Sequence, residues 1–263
     1  MAITAAQVKE LRDITGISMM ECKKALEETD GNIEEAIDVL RKRWLAKAAK
    51  ASDRQTSEGV IRVECEGNTC YVVSVQCETD FVAKTDDFQK MSLDFLKVLK
   101  SEGNEVLARE KMETMKTEYV MKMGENINIK DVKIISGKKI SSYLHSNGKL
   151  AAIIVSKVET TDGEKLKQVA MHVTATNPDV LSPADISEAV IAKEKSIQLD
   201  IMKNDPKMGG KPEEVLLKII EGKMDKFKSD ISLLEQAFVI NPDQKVKDFI
   251  GADTLEAFYR FNI

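Results

Sequence analysis

The chain has 263 residues, and its 39 Lys and Arg against 44 Asp and Glu leave a formal net charge of -5. Hydrophobic residues are 43% and charged residues 32%, which allows a buried core and argues against wholesale disorder. The acidic balance excludes broad attraction to phosphate backbones or anionic membranes. No run approaches the ~20 apolar residues of a membrane span.

Met1-Ala2-Ile3-Thr4 leads straight into a capped helix pattern. It lacks the layout of a secretion or transit signal, so a cytoplasmic location is expected. The four cysteines, Cys22, Cys65, Cys70 and Cys77, are then expected as reduced thiols. Three helix starts follow in succession: Thr4 before Gln7, Ser18 before Glu21, and Asn32 before Glu35. Each pair has capping-box spacing. Gly16 and Gly31 supply stops. Ile33, Ala36, Ile37, Leu40 and Trp44 form one apolar stripe. Cys22, Ala25 and Leu26 form another, joined by Val8 and Leu11. The spacing therefore predicts a three-helix module over residues 1–50. Met20 falls roughly opposite the buried stripe and Met19 at its edge, with Lys23 and Lys24 beside them. They read either as the cover of a loose corner or as an adaptable apolar contact for a partner.

From Ala46 the chain is small, polar and charged, and residues 51–58 read as a linker. At Gly59 the period becomes strand-like. Val60–Cys65 and Tyr71–Val75 flank a turn at Glu66-Gly67-Asn68, and a helix follows through Phe88, Met91, Leu93, Phe95, Leu96 and Leu99. Glu105–Met123 reads as a charged helix, after which Gly124–Ile129 turns into a short strand. The hairpin-plus-helix order recurs from Ile140 through Ser146-Asn147-Gly148 to Leu150–Val155 and a helix with Leu166, Val169, Ala170 and Val173. That recurrence is a match of pattern with little residue identity, and it suggests two related α+β subdomains. Two helices follow, starting at Asp185 and Glu213. Their seams are Ile186, Val190, Ile197 and Ile201, and Leu216, Ile220, Met224 and Phe227. A turn rich in Gly and Pro joins them, and the pair reads as a protruding helical hairpin. Ala237–Ile240 reads as a strand, Asn241-Pro242-Asp243 as a turn, and Phe258–Ile263 as a strand completing the second sheet. The fold class is α+β. The expected division is 1–50, 51–58, 59–139, and 140–263 with the hairpin inserted at about 185–228.

A search for chemistry finds no phosphate-binding glycine loop and no HExxH. His145 and His172 are the only histidines, and the cysteines lack paired CxxC spacing. No metal site, cofactor or catalytic residue is expected. Glu78-Thr79-Asp80-Phe81-Val82-Ala83-Lys84 stands out, because an apolar pair follows a cap-like Thr-Asp at a strand end. Phe81 either tucks under the sheet or forms a rigid apolar wedge for a partner.

Two segments carry a resemblance to a known family. Leu11–Gly16 with Met19–Leu26, and Cys77–Lys84, resemble the two signatures of the bacterial elongation factor Ts family. Gly124–Ile127 and Ala170–Val173 are similar to further blocks of that family, so the likeness runs along nearly the whole chain. The family comprises guanine-nucleotide exchange factors of elongation factor Tu. The resemblance implies a ubiquitin-associated-like N-terminal module and binding to GDP-bound and nucleotide-free elongation factor Tu. It also implies that Thr79, Asp80, Phe81 and Val82 disturb the partner's magnesium site. Partner contacts are implied for Arg12, Met19, Met20, Lys23, Met123, Gly124, His145, Val239 and Ile240. Neither nucleic acid nor membrane is an expected partner. Some family members carry a further C-terminal helical module, and with the last residue at Ile263 that contact is expected to be missing. Two other classes remain on sequence grounds: a polypeptide- or ubiquitin-like-binding module on an α+β scaffold, and a thiol enzyme using Cys65, Cys70 or Cys77.

Overall fold

The computed structural model describes residues 3–51, 53–204 and 213–263. The expected turn at 205–212 and the Trp44 side chain lie outside the described residues.

Three helices open the chain: α1 (Ala5–Thr15), α2 (Met19–Glu28) and α3 (Ile33–Ala51). Thr4 and Gln7 form a complete capping box on α1, Ser18 accepts from the Glu21 backbone on α2, and Gly16 ends α1 in the left-handed region. Val8, Leu11, Cys22, Ala25, Leu26, Ala36 and Leu40 close into one core, the one that the stripes predict.

Two three-stranded antiparallel sheets follow. The first is β1 (Glu58–Glu66), β2 (Thr69–Cys77) and β3 (Asn128–Ser136), in that order. Between β2 and β3 run α4 (Asp80–Ala83), α5 (Asp86–Glu102) and α6 (Glu105–Met123). The second sheet is built from β4 (Lys139–Leu144), β5 (Leu150–Ser156) and the final strand. Next in the chain come α7 (Gly163–Thr176), α8 (Glu188–Lys203), α9 (Glu213–Ile231), β6 (Ala237–Phe238), β7 (Asn241–Lys245), α10 (Val246–Ile250) and β8 (Leu255–Asn262). β8 pairs with β5, as expected of the terminal apolar run.

The sheets face each other. Ile61, Cys70, Val72 and Ile135 of the first meet Ile140, Ala151, Ile153, Val155 and Phe261 of the second. Alternate residues on the opposite faces meet helices: Val60, Val73, Val75 and Val132 pack on α5 and α6, and Ala152, Ile154 and Leu255 on α7 and α10. The central strands β2 and β5 are therefore covered on both sides, which is why they read as continuous apolar runs. The outer edge of β3 is blocked by α6. Glu105 accepts from Ile134 N at 2.9 Å, and Arg109 donates to the Ile129 and Lys130 carbonyls at 2.6 and 3.2 Å.

Four expectations need correction. Cys65 and Cys70 form a disulfide instead of two free thiols. The tight β1–β2 turn puts the two directly opposite each other in the register, with Cα atoms 4.0 Å apart. Helix α8 starts at Glu188 instead of Asp185, because Pro183–Asp185 makes a 3-10 turn and Ser187 caps the helix. Its seam also differs: Val190, Ile197 and Ile201 are exposed, while Ile191, Leu199 and Met202 pack with Leu216, Ile220, Met224 and Phe227. Finally, Val239 and Ile240 are the turn of the β6–β7 hairpin and Asn241–Lys245 is its second strand, the reverse of the expected order.

Candidate functional site

Thr79, two residues past the end of β2, caps α4, its hydroxyl accepting from Val82 N at 3.3 Å. The helix is a single turn. Thr85 accepts from Phe88 N at 3.3 Å and starts α5 at once. Three consecutive residues on this turn have three different surroundings. Ala83 is buried, Val82 packs half-buried on the first helix-side core, and Phe81 is 80% exposed. The ring therefore points away from the body, and the alternative in which it tucks under the sheet is excluded.

The turn is held from below and from both ends. The buried Cys77 thiol donates to Thr79 O at 3.2 Å. Gln89 Nε2 donates to Ala83 O at 2.6 Å. Glu125, just past the end of α6, accepts from Glu78 N at 3.1 Å, Thr79 N at 3.0 Å and the Thr79 hydroxyl at 2.6 Å. Glu78 answers by accepting from Asn126 N at 2.7 Å and Arg54 Nη1 at 3.0 Å. Asp80 pairs with Lys84 at 2.6 Å. That hydrogen bond, helped by the Lys84 and Lys149 charges, holds the exposed Asp80 carboxyl below its ordinary range. Burial, with the Glu125 and Glu58 charges behind it, pushes the Cys77 thiol up to about 12. A thiol so placed is neutral at physiological pH, and Cys65 and Cys70 are bonded to each other, so this hairpin offers no thiolate nucleophile.

The other predicted residues lie on several elements, and Met123 and Gly124 are beside the Glu125 that braces the turn. Met123 is half-buried against the same core, and Gly124 caps α6 at φ +73°. Gly16, in the α1–α2 turn, lies against Lys122 near the end of α6. Ile14, Thr15, Ile37, Leu40, Thr114 and Lys122 line a cleft of about 500 Å³ there. Met20 is 69% exposed on α2 and Met19 nearly half. Arg12 and Lys23 pair on the surface with Asp13 and Glu27. His145 is exposed at the β4–β5 turn, its Nδ1 3.1 Å from the Tyr143 hydroxyl. That turn is tied to the first sheet by Ile61 N donating to Gly148 O at 2.8 Å and by the Lys149–Glu58 ion pair.

Val239 and Ile240 belong to a different neighbourhood. Their turn is fixed by Val239 N donating to His172 Nδ1 at 3.1 Å, on the helix side of the second sheet. His172 is buried, and its Nε2 hydrogen bonds to Gln236 at 2.8 Å. Sequence reasoning missed Glu125, Glu78 and Arg54, for which no spacing or period gives a signal. Among the described residues no cluster of three or more His, Cys, Asp or Glu has metal-binding geometry, and no helix is long and apolar enough to cross a membrane.

The family model described as elongation factor TS matches residues 78–263, beginning at the Glu78 that braces the exposed turn. An elongation factor Ts of Dinoroseobacter shibae is 44% identical over 94% of this chain and 87% of its own. One from Marinobacter nauticus is 42% identical over 100% and 91%. One from Spiroplasma citri is 40% identical over 97% and 90%. The chain belongs to the elongation factor Ts family. It is a translation elongation factor and a guanine-nucleotide exchange factor, which acts without covalent chemistry of its own.

Proposed function

We propose that this member of the elongation factor Ts family binds GDP-loaded elongation factor Tu and releases the nucleotide by pressing Thr79, Asp80, Phe81 and Val82 against the partner's magnesium site. The observation that carries the reading is Phe81, a large ring 80% exposed on a turn fixed at both ends. Mg²⁺ demands near-ideal octahedral geometry and bridges phosphate oxygens to protein. A small displacement of its surroundings weakens the ion and strips GDP of charge neutralisation. A factor that binds the nucleotide-free state more tightly than the GDP state must, by linkage, lower GDP affinity by the same factor.

Around the wedge, Arg12, Met19, Met20 and Lys23 provide a second contact surface, with Met123 and Gly124 between the two. His145, and separately Val239 and Ile240, extend the contact from the second sheet. In this reading 1–50 is a ubiquitin-associated-like module and 51–58 its linker. Residues 59–139 and 140–263 are two related subdomains, and the helical hairpin projects from the second at about 185–228. The proposed compartment is the cytoplasm. The test is to mix the chain with elongation factor Tu carrying a fluorescent GDP and follow its release. Acceleration that saturates with factor concentration is expected. Release at the spontaneous rate would refute the function.

A further inference from the structure

We propose that Glu125 is a positioning residue for exchange, whose carboxylate holds the turn that carries Phe81. The inference rests on the reading of Phe81 as the group that acts on the partner.

A four-residue helix has no stability of its own, since nucleating a turn costs more than its few hydrogen bonds return. Something outside it must fix its direction. Glu125 does so with two oxygens that meet three donors: the Glu78 amide, the Thr79 amide and the Thr79 hydroxyl. A carboxylate only accepts, so the hydroxyl proton is committed to Glu125 and the oxygen's lone pairs are left for Val82 N–H. The cap of α4 is thereby set by a side chain 46 residues away in sequence. These bonds are charge-assisted, the stronger class of hydrogen bond, and the one from the Thr79 hydroxyl is short at 2.6 Å.

The arrangement is reciprocal. Glu78 accepts from Asn126 N while Glu125 accepts from Glu78 N, so the two loops clasp each other. Arg54 joins through its guanidinium to Glu78, and its carbonyl accepts from Asn126 Nδ2 at 2.8 Å. Gly124 makes this possible. At φ +73° it reverses the chain straight after α6, a conformation that L side chains rarely adopt, and brings Glu125 back toward β2. A ring that is ordered before docking loses less entropy on binding and presses on a fixed support.

Glu125→Gln keeps the shape but offers one accepting oxygen and an amide that confronts the donors. In the full chain, GDP release at saturating factor should fall about tenfold or more, within the ~100-fold that a 1 Å misplacement can cost. The concentration for half-saturation should change little, because the other contact surfaces remain. In a Phe81→Ala background the same change should have no further effect, a result that a purely structural role would not produce. A parental saturating rate in E125Q, or an equal loss with and without Phe81, overturns the proposal. If F81A itself releases GDP at the parental rate, the underlying reading of Phe81 fails instead. Should the urea melt of E125Q show lost folding, Thr79→Val removes the hydroxyl link with both carboxylates in place. A saturating rate slowed by T79V only when Phe81 is present supports the proposal, and a parental rate or an equal loss in the F81A background overturns it.

Discussion

The most direct prediction concerns Phe81→Ala. A phenylalanine side chain buries about 150–250 Å² when fully covered. With 80% of the residue exposed, roughly 120–200 Å² of that is open for burial by a partner. At about 25 cal/mol per Å² this corresponds to ~3–5 kcal/mol, and an alanine methyl retains part of it. A loss of ~2–3 kcal/mol of stabilisation of the exchange transition state is expected, or about 30- to 150-fold in the release rate per factor concentration. Folding should be nearly untouched, because an exposed side chain contributes within about 0.5 kcal/mol. The assay is stopped-flow release of fluorescent GDP from elongation factor Tu across a range of factor concentrations, paired with urea melts of the factor alone. Release within twofold of the parent at every concentration, with unchanged melts, would refute the role of the ring.

Three further outcomes follow from other parts of the molecule. His172 is buried with its protonation driven below the ordinary 6.5 by desolvation, so the unfolded chain takes up the proton first. Stability should be complete above pH 6.5 and fall as pH drops below it, and His172→Gln should flatten that slope in urea melts across pH. Reduction of Cys65–Cys70 opens a short loop worth at most about 2 kcal/mol in chain entropy. Melts with and without dithiothreitol should show that loss while GDP release stays the same. Altered release would place the hairpin tip in the partner contact. Gly59→Ala at φ +149° would set a Cβ 2.1 Å from the Val75 carbonyl oxygen, so thermal unfolding should reveal a loss of about 2 kcal/mol or more.

The parts of this fold that were legible in sequence are those whose information is local. Thr4 with Gln7 and Ser18 with Glu21 specify helix starts within one turn, and the stripes from Val8 to Leu40 specify the face each helix buries. The hairpins announce themselves because residues two apart share a face. Where two local readings compete, tertiary contacts decide. Helix α8 carries apolar residues on two sides, and only packing on α9 selects Ile191, Leu199 and Met202 over Val190, Ile197 and Ile201. Val239 and Ile240 have strong strand propensity, yet the Phe238–Asn241 pairing and the hydrogen bond to His172 make them a turn. The cysteines were misjudged for a different reason. The expected compartment argues for thiols, while the strand register brings Cys65 and Cys70 together. In a reducing cytoplasm the same register leaves them side by side. At the candidate site the exposed Phe81 was legible as one of two options. Its support was not, because Glu125 and Thr79 meet only once β2 and the end of α6 are packed.

That support also bears on why the wedge carries the charges it does. In the proposed docked state the turn approaches a bound Mg²⁺, for which any free carboxylate oxygen is a new ligand. Such a ligand would retain the ion and oppose release. Glu78 and Glu125 are turned inward onto backbone and guanidinium donors, and Asp80 is paired with Lys84. Glu78, Asp80 and Glu125 are thus already engaged within the chain, while the apolar ring projects. In that proposed state an aromatic ring, which has no oxygen to offer, would give the ion no new ligand in place of any that was moved.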